Sequence, residues 1–126
     1  MKASFNRHMN LTELLDQTAS NRPKKVALIE GDAIISYAEL VEKVNILALQ
    51  LRAFHLSSGY RVGLCLPNSI SYVALTFALW RINAVVVPIP TECTEEEFSN
   101  IAVTMRLEAI IGQKPRGQSN LEPFLW

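Results

Sequence analysis

The chain has 126 residues, of which 49% are hydrophobic and 19% are charged, a balance typical of a globular domain and not of a disordered segment. Its 12 lysine and arginine residues equal its 12 aspartate and glutamate residues, so net charge does not favour a nucleic-acid or anionic-membrane partner. The longest apolar stretch, near residues 70–82, is shorter than the roughly 20 residues that a membrane-spanning helix needs, and we predict no membrane span.

The N-terminal segment MKASFNRHMN has no apolar signal region, and we expect a cytoplasmic location. The two cysteines, Cys65 and Cys93, lack the spacing of a metal or redox motif, which fits a reducing compartment. We predict that Cys65 is a small core residue.

Three helices are predicted from the capping-box spacing, in which a capping residue and a glutamate three positions later satisfy each other's backbone N–H groups. The three pairs are Asn10 with Glu13, Ser36 with Glu39, and Thr94 with Glu97. Behind the second pair, apolar residues recur every three or four positions over residues 40–51, which is typical of an amphipathic helix.

Short apolar runs predict the strands. The stretch over residues 26–36 predicts a β-hairpin that turns at Gly31, because glycine adopts positive φ freely. Three further runs, near 62–66, 85–89 and 109–112, alternate with helical patterns and indicate buried strands. This order favours parallel strands with right-handed crossovers. We therefore predict a three-layer α/β fold with a parallel sheet core and an N-terminal hairpin.

The segment LWRINAVVVPIP predicts a sharp change from helix to strand. Asn83 falls where a helix ends in the left-handed conformation, which asparagine tolerates. Pro88 and Pro90 are expected to remove two hydrogen-bond donors from the strand ladder. The preceding helix, over residues 70–82, is apolar almost all round, so we predict that one side of it contacts a partner.

Three stretches in this order resemble the N-terminal portion of the AMP-forming adenylating enzymes, which include acyl-CoA synthetases, fatty acyl-AMP ligases and peptide-synthetase adenylation domains. They are ISYAELVEKVNILALQL, YRVGLCLPNSISYVALTFAL and LWRINAVVVPIPTECTEEE. Two of these stretches depart from the family pattern: Asn83 replaces a glycine in one, and Tyr60-Arg61 replaces Gly-Asp in the other. The resemblance implies that residues 1–113 are a partial N-terminal subdomain, followed by an irregular tail over residues 114–126.

The resemblance also implies what a complete enzyme would do. It would join a carboxylate to ATP, giving acyl-AMP and pyrophosphate, and then transfer the acyl group to a thiol, with ATP, magnesium and coenzyme A as cofactors. The family's lysine-ended phosphate loop, magnesium-holding glutamate and catalytic lysine are not found in this sequence. We therefore predict no catalytic, cofactor-binding or metal site in the chain, and no cofactor for the chain alone.

Several local patterns resemble chemical sites but favour structural roles. Gly112–Ser119 has the outline of a phosphate loop, but Gln118 stands at the lysine position and no helix pattern follows. His8 and His55 have no ligand-spaced neighbours. The acidic residues Glu92, Glu95, Glu96 and Glu97 are predicted to stabilise a helix start, and Phe77 and Trp80 are predicted to pack. Asn68 or Ser69 is predicted to cap the helix that follows, and Ser69 and Ser71 lack the sequence context of a nucleophile.

The first functional hypothesis is thus the N-terminal portion of an AMP-dependent acid ligase that is inactive alone. The alternative is a non-catalytic truncated paralogue that acts as an interaction module. In both, the expected partner is the remainder of a ligase or a second copy, bound through the helix over 70–82. A flavodoxin-like nucleotide-binding protein is a third and weaker hypothesis.

Overall fold

The computed structural model describes residues 10–112 and the backbone of 124–125. These residues form four helices and six strands. In chain order they are α1 (Leu11–Asn21), β1 (Val26–Glu30), β2 (Ala33–Ser36), α2 (Tyr37–Ala53), β3 (Arg61–Cys65), α3 (Ile70–Arg81), β4 (Val85–Pro88), α4 (Glu95–Thr104), β5 (Ala109–Gly112) and β6 (Phe124–Leu125). Among the helices in this part of the chain, none combines the length and the apolar character that crossing a membrane requires.

The strands form two sheets, as predicted. β1 and β2 make a separate antiparallel hairpin, and Gly31 at its turn has φ of 59°. The second sheet has the order β4-β3-β5-β6, in which β3 is parallel to both β4 and β5. The predicted strand bounds differ from the observed ones by one residue, since β3 begins at Arg61 and β4 ends at Pro88.

The C-terminal tail was expected to be irregular from residue 114 onward. Residues 113–123 and 126 lie outside the described residues. Phe124–Leu125 form the short strand β6, which pairs antiparallel with β5 and which the sequence pattern did not predict. Two residues are too few for a periodic pattern to reveal a strand.

The position of β3 between β4 and β5 produces the three layers. Because β4 and β5 lie on opposite sides of β3, right-handed crossovers place α3 and α4 on opposite faces of the sheet. The core is divided accordingly. One cluster joins α1, α2 and α3 to Val62 and Leu64 of β3, and the other joins Cys65 to Phe98 of α4.

All three predicted capping boxes are confirmed. Each capping side chain accepts a hydrogen bond from the backbone N–H three residues on, at 2.9 to 3.2 Å. Each glutamate carboxylate in turn accepts a hydrogen bond from the backbone N–H of the capping residue at 2.8 Å. These bonds satisfy donors that the first turn of a helix leaves free, so the chain defines its helix starts locally.

The predicted left-handed residue after α3 is also confirmed. Asn83 has φ of 64°, and its N–H donates to the carbonyl of Trp80 at 2.9 Å. Its own carbonyl accepts from Gly59 at 2.8 Å. The chain therefore reverses within two residues and enters β4 at Val85.

The prediction for the two prolines was wrong. Val85 donates to Tyr60 at 2.7 Å and Ile89 donates to Leu64 at 3.0 Å, so the ladder to β3 keeps its donors. N–H groups alternate in direction along a strand, and those of residues 85, 87 and 89 point towards β3. Pro88 and Pro90 occupy the alternate positions, whose N–H groups would point away from β3.

The Asn83 turn leads to a stability prediction. Asparagine adopts a φ of 64° more readily than alanine, which has a steric cost in this conformation. Asn83→Ala should therefore lower the free energy of unfolding by about 1 kcal/mol. Urea denaturation measures the change. The matched control is Asn45→Ala, an exposed asparagine within α2, where alanine should be neutral or slightly stabilising. Equal effects of the two substitutions would contradict the prediction.

Candidate functional site

The best-placed concave surface lies where β3 and β4 end. Parallel strands bring their carboxyl ends to one edge of the sheet, the usual place for ligands in open α/β folds. A shallow cavity of about 410 Å³ lies at this edge. It is lined by residues 66–68 after β3, by Tyr72 in the first turn of α3, and by residues 88–92, which begin at the last residue of β4.

The N-terminus of α3 meets this edge and is already occupied by side chains of the chain. The Ser69 hydroxyl accepts from the N–H of Tyr72 at 3.0 Å, which confirms a capping role for Ser69. The Glu30 carboxylate, from the end of β1, accepts from the N–H of Ile70 at 2.8 Å. A carboxylate here stabilises the positive end of the helix dipole and opposes binding of a second anion.

Glu30 completes a pattern common to the described helices. A glutamate carboxylate accepts a hydrogen bond at the start of each of the four helices, and in α1, α2 and α4 it does so through a capping box. In α3 the capping-box position is Tyr72, and the distant Glu30 supplies the carboxylate instead. Sequence reasoning missed this residue because no local spacing relates positions 30 and 70.

The two cysteines lie together on the α4 face of the sheet, 1% and 8% exposed for Cys65 and Cys93. The prediction of Cys65 as a core residue is confirmed. Burial raises the pKa of the Cys65 thiol, and Cys93 and Glu92 add to the rise. Burial and the Glu97 carboxylate raise the pKa of Cys93. Both thiols are therefore protonated at neutral pH, which disfavours a ready nucleophile.

The other candidates do not assemble into a site. Glu95, Glu96 and Glu97 are exposed in the first turn of α4, as expected for a helix start. His55 is exposed in the loop after α2, and His8 lies outside the described residues. Within residues 10–112, no group of three or more histidine, cysteine, aspartate or glutamate side chains could hold a metal ion.

The remaining candidates have packing roles or cannot be placed. The rings of Phe77 and Trp80 meet edge to face, with centroids 5.4 Å apart, as expected for packing. Ser71 is exposed on α3. Of the phosphate-loop candidate, only Gly112 is described; a Cβ there would come within 2.1 Å of the Cys65 carbonyl oxygen, so β5 ends tightly against β3. Residues 113–119 lie outside the described residues.

Large exposed apolar side chains lie on elements other than α3. The hairpin presents Ile29 and Ile34, 67% and 58% exposed, as a cross-strand pair. Helix α2 presents Ile46 and Leu49, one turn apart, on its outer side. In contrast, the large apolar side chains of α3 are buried or half-buried, and the partner surface predicted over residues 70–82 stays a prediction.

Comparison with protein families finds one match that spans most of the chain. The family described as "AMP-binding enzyme" matches residues 15–124. Among curated proteins, pyochelin synthase PchD of Pseudomonas aeruginosa is 34% identical over 104 residues, which are 82% of this chain and 19% of that protein. The 3-oxocholest-4-en-26-oate–CoA ligase of Rhodococcus rhodochrous is 27% identical over 106 residues, 84% of this chain and 19% of that protein. The chain thus spans about a fifth of the length of these relatives.

Solved structures share the fold. The N-terminal subdomain of Klebsiella oxytoca NpsA superposes with a TM-score of 0.79 at 24% identity, covering 88% of this chain and 28% of that one. The N-terminal domain of FACL13 from Mycobacterium tuberculosis gives a TM-score of 0.79 at 29% identity, covering 89% of this chain and 31% of that one.

The long-range cap of α3 can be tested by removing its charge. Glu30→Gln should lower the free energy of unfolding by about 0.5–1 kcal/mol at low salt, because a neutral amide interacts less with the helix N-terminus. The control is Asp32→Asn, the same charge change at the hairpin turn, which should have little effect. Denaturation at low and high salt distinguishes the two variants, since only the loss of unfolding free energy in Glu30→Gln should become smaller with added salt.

Proposed function

This chain belongs to the AMP-binding enzyme family, as the N-terminal subdomain of an adenylate-forming ligase, and we propose that it acts as a scaffold that does not catalyse adenylation alone. In the complete ligase, the reaction would join a carboxylate to ATP, release pyrophosphate and pass the acyl group to a thiol. The relatives include both a pyochelin synthase and a 3-oxocholest-4-en-26-oate–CoA ligase. The proposal therefore names the reaction that the family shares and leaves the acid open.

The observation that supports this most directly is the occupation of the helix starts. Phosphate groups bind at helix N-termini through free N–H groups and the positive dipole end. In the described residues each helix start already bonds a glutamate carboxylate of the chain, including α3 beside the cavity. The described residues also provide no cluster for magnesium. They therefore do not fit ATP–magnesium, and we assign none of them a chemical step.

An ATP–pyrophosphate exchange assay tests the proposal. The isolated chain should give no turnover above the enzyme-free background with a panel of aliphatic and aromatic carboxylic acids, because the helix starts in residues 10–112 already bond carboxylates of the chain. A complete acyl-CoA synthetase run in parallel shows that the assay detects exchange. Acid-dependent turnover by the isolated chain would overturn the proposal.

The interaction-module alternative has its own supporting observation in the exposed hairpin. Ile29 and Ile34 face outward on a two-stranded sheet, and an apolar pair in that position is stabilised when another surface covers it. The chain spans 19% of pyochelin synthase PchD and 31% of the FACL13 domain, so the remainder of a ligase is the occupant that we propose.

Dye binding and light scattering test this surface. An apolar-surface dye should fluoresce with the chain, and the double substitution Ile29→Thr/Ile34→Thr should reduce the signal at least two-fold while keeping strand propensity. Val103→Thr on α4, where the valine is 77% exposed, is the matched control and should change little. A monomer without dye binding would contradict the proposal, and a stable dimer would identify a second copy as the occupant.

A further inference from the structure

Cys65 and Cys93 meet at one backbone carbonyl. The Cys65 Sγ lies 3.8 Å from the Pro90 carbonyl oxygen, and the Cys93 N–H donates to the same oxygen at 3.4 Å. Both side chains belong to one apolar cluster with Ile89 and Phe98. The two residues, 28 positions apart, thus contact one acceptor atom and pack in the same cluster.

Access to this pair is unequal. Cys93 lines a second open cavity of about 540 Å³, formed with Pro90, Glu92, Glu97, Asn100 and Ile101. Cys65, at the end of β3, is 1% exposed and is not among the residues that line this cavity. A small reagent can therefore reach Cys93 first, whereas Cys65 is placed to react only with what has formed on Cys93.

We propose that Cys65 and Cys93 form a reversible intramolecular disulfide when the chain meets an oxidising low-molecular-mass disulfide such as oxidised glutathione. This proposal is independent of the adenylation reaction. It assigns to the two residues a modification site that the AMP-binding family match does not itself imply.

The chemistry balances as two thiol–disulfide exchanges. The Cys93 thiol loses its proton to solvent, and its sulfur attacks one sulfur of oxidised glutathione. That step breaks the glutathione S–S bond, releases one glutathione thiolate and leaves a mixed disulfide on Cys93. The Cys65 thiol then loses its proton and attacks the Cys93 sulfur, which releases the second glutathione. The two protein thiols are oxidised by two electrons, and one oxidised glutathione is reduced to two thiols.

The bond would join the two walls of the cavity at the sheet edge. Cys65 directly precedes residues 66–68 on one wall, and Cys93 directly follows residues 88–92 on the other. A disulfide would therefore fix the loop between β4 and α4 against the end of β3. Closing a covalent loop over residues 65–93 restricts the unfolded chain, so the melting temperature should rise by roughly 10 °C.

Peptide mapping of the 126-residue chain after equilibration in glutathione buffers tests the proposal. Trypsin releases Cys65 in residues 62–81 and Cys93 in residues 82–106. In oxidising buffer we expect these two peptides to be linked, with the intact chain at the monomer mass less about 2 Da, and we expect a thiol reductant to separate them. Cys65→Ala should instead accumulate a glutathione adduct on Cys93, and Cys93→Ala should leave Cys65 unmodified.

Three results would overturn the proposal: both thiols remaining free in fully oxidising buffer, adducts without the linked peptides, or linked peptides found only at the dimer mass. If either alanine variant fails to fold, the intact mass and peptide map of the unsubstituted chain decide alone. If the linked peptides are present but the melting temperature is unchanged, the bond is established and the expected stabilisation by restricting the unfolded chain is wrong.

Discussion

The fold depends on the burial of β3 on both faces and along both edges. Val62 and Leu64 face the cluster with α1, α2 and α3, whereas Cys65 faces α4. Gly63 lies between these residues, and a Cβ there would come within 2.7 Å of Ile89 and 2.9 Å of Leu107. The absence of a side chain at position 63 lets the α4 layer approach the sheet closely. A side chain at position 63 would require the terminal methyl groups of Ile89 and Leu107 to move.

This arrangement also explains where chemistry is absent. A parallel sheet collects the ends of its strands at one edge, where ligands commonly bind. In the described part of this chain that edge is lined by apolar side chains and prolines together with Asn68, Tyr72, Thr91 and Glu92, and the Glu30 carboxylate bonds the helix start beside it. The lining contains no lysine or arginine and does contain the carboxylate of Glu92, so this edge does not favour the phosphates of a nucleotide. This chemistry is in keeping with the scaffold role that we propose for the chain.

Local chemistry made most of the fold predictable. The capping boxes define helix starts within four residues, and the reversal at Asn83 follows from one residue's tolerance for positive φ. The family could be recognised because the three stretches that resemble it are also local patterns and occur in the expected order. The features that sequence reasoning missed are long-range: Glu30 reaches across 40 positions to Ile70, and Phe124–Leu125 join a strand that ends at Gly112. The apolar character of a helix also does not reveal which neighbours cover it, so the partner surface on residues 70–82 stays a prediction.

Pro88, which ends β4, and Pro90, two residues beyond it, have a consequence for the open edge of the sheet. β4 has no further strand beyond it in the described chain, and such an edge can template pairing between molecules. Residues 86, 88 and 90 would present their N–H groups outward there, and two of these three are proline. The outward row thus retains one donor, on Val86, while every bond towards β3 is kept. Prolines at alternate positions therefore remove outward hydrogen-bond donors that could pair with another molecule during fibril growth, while the bonds within the sheet are kept.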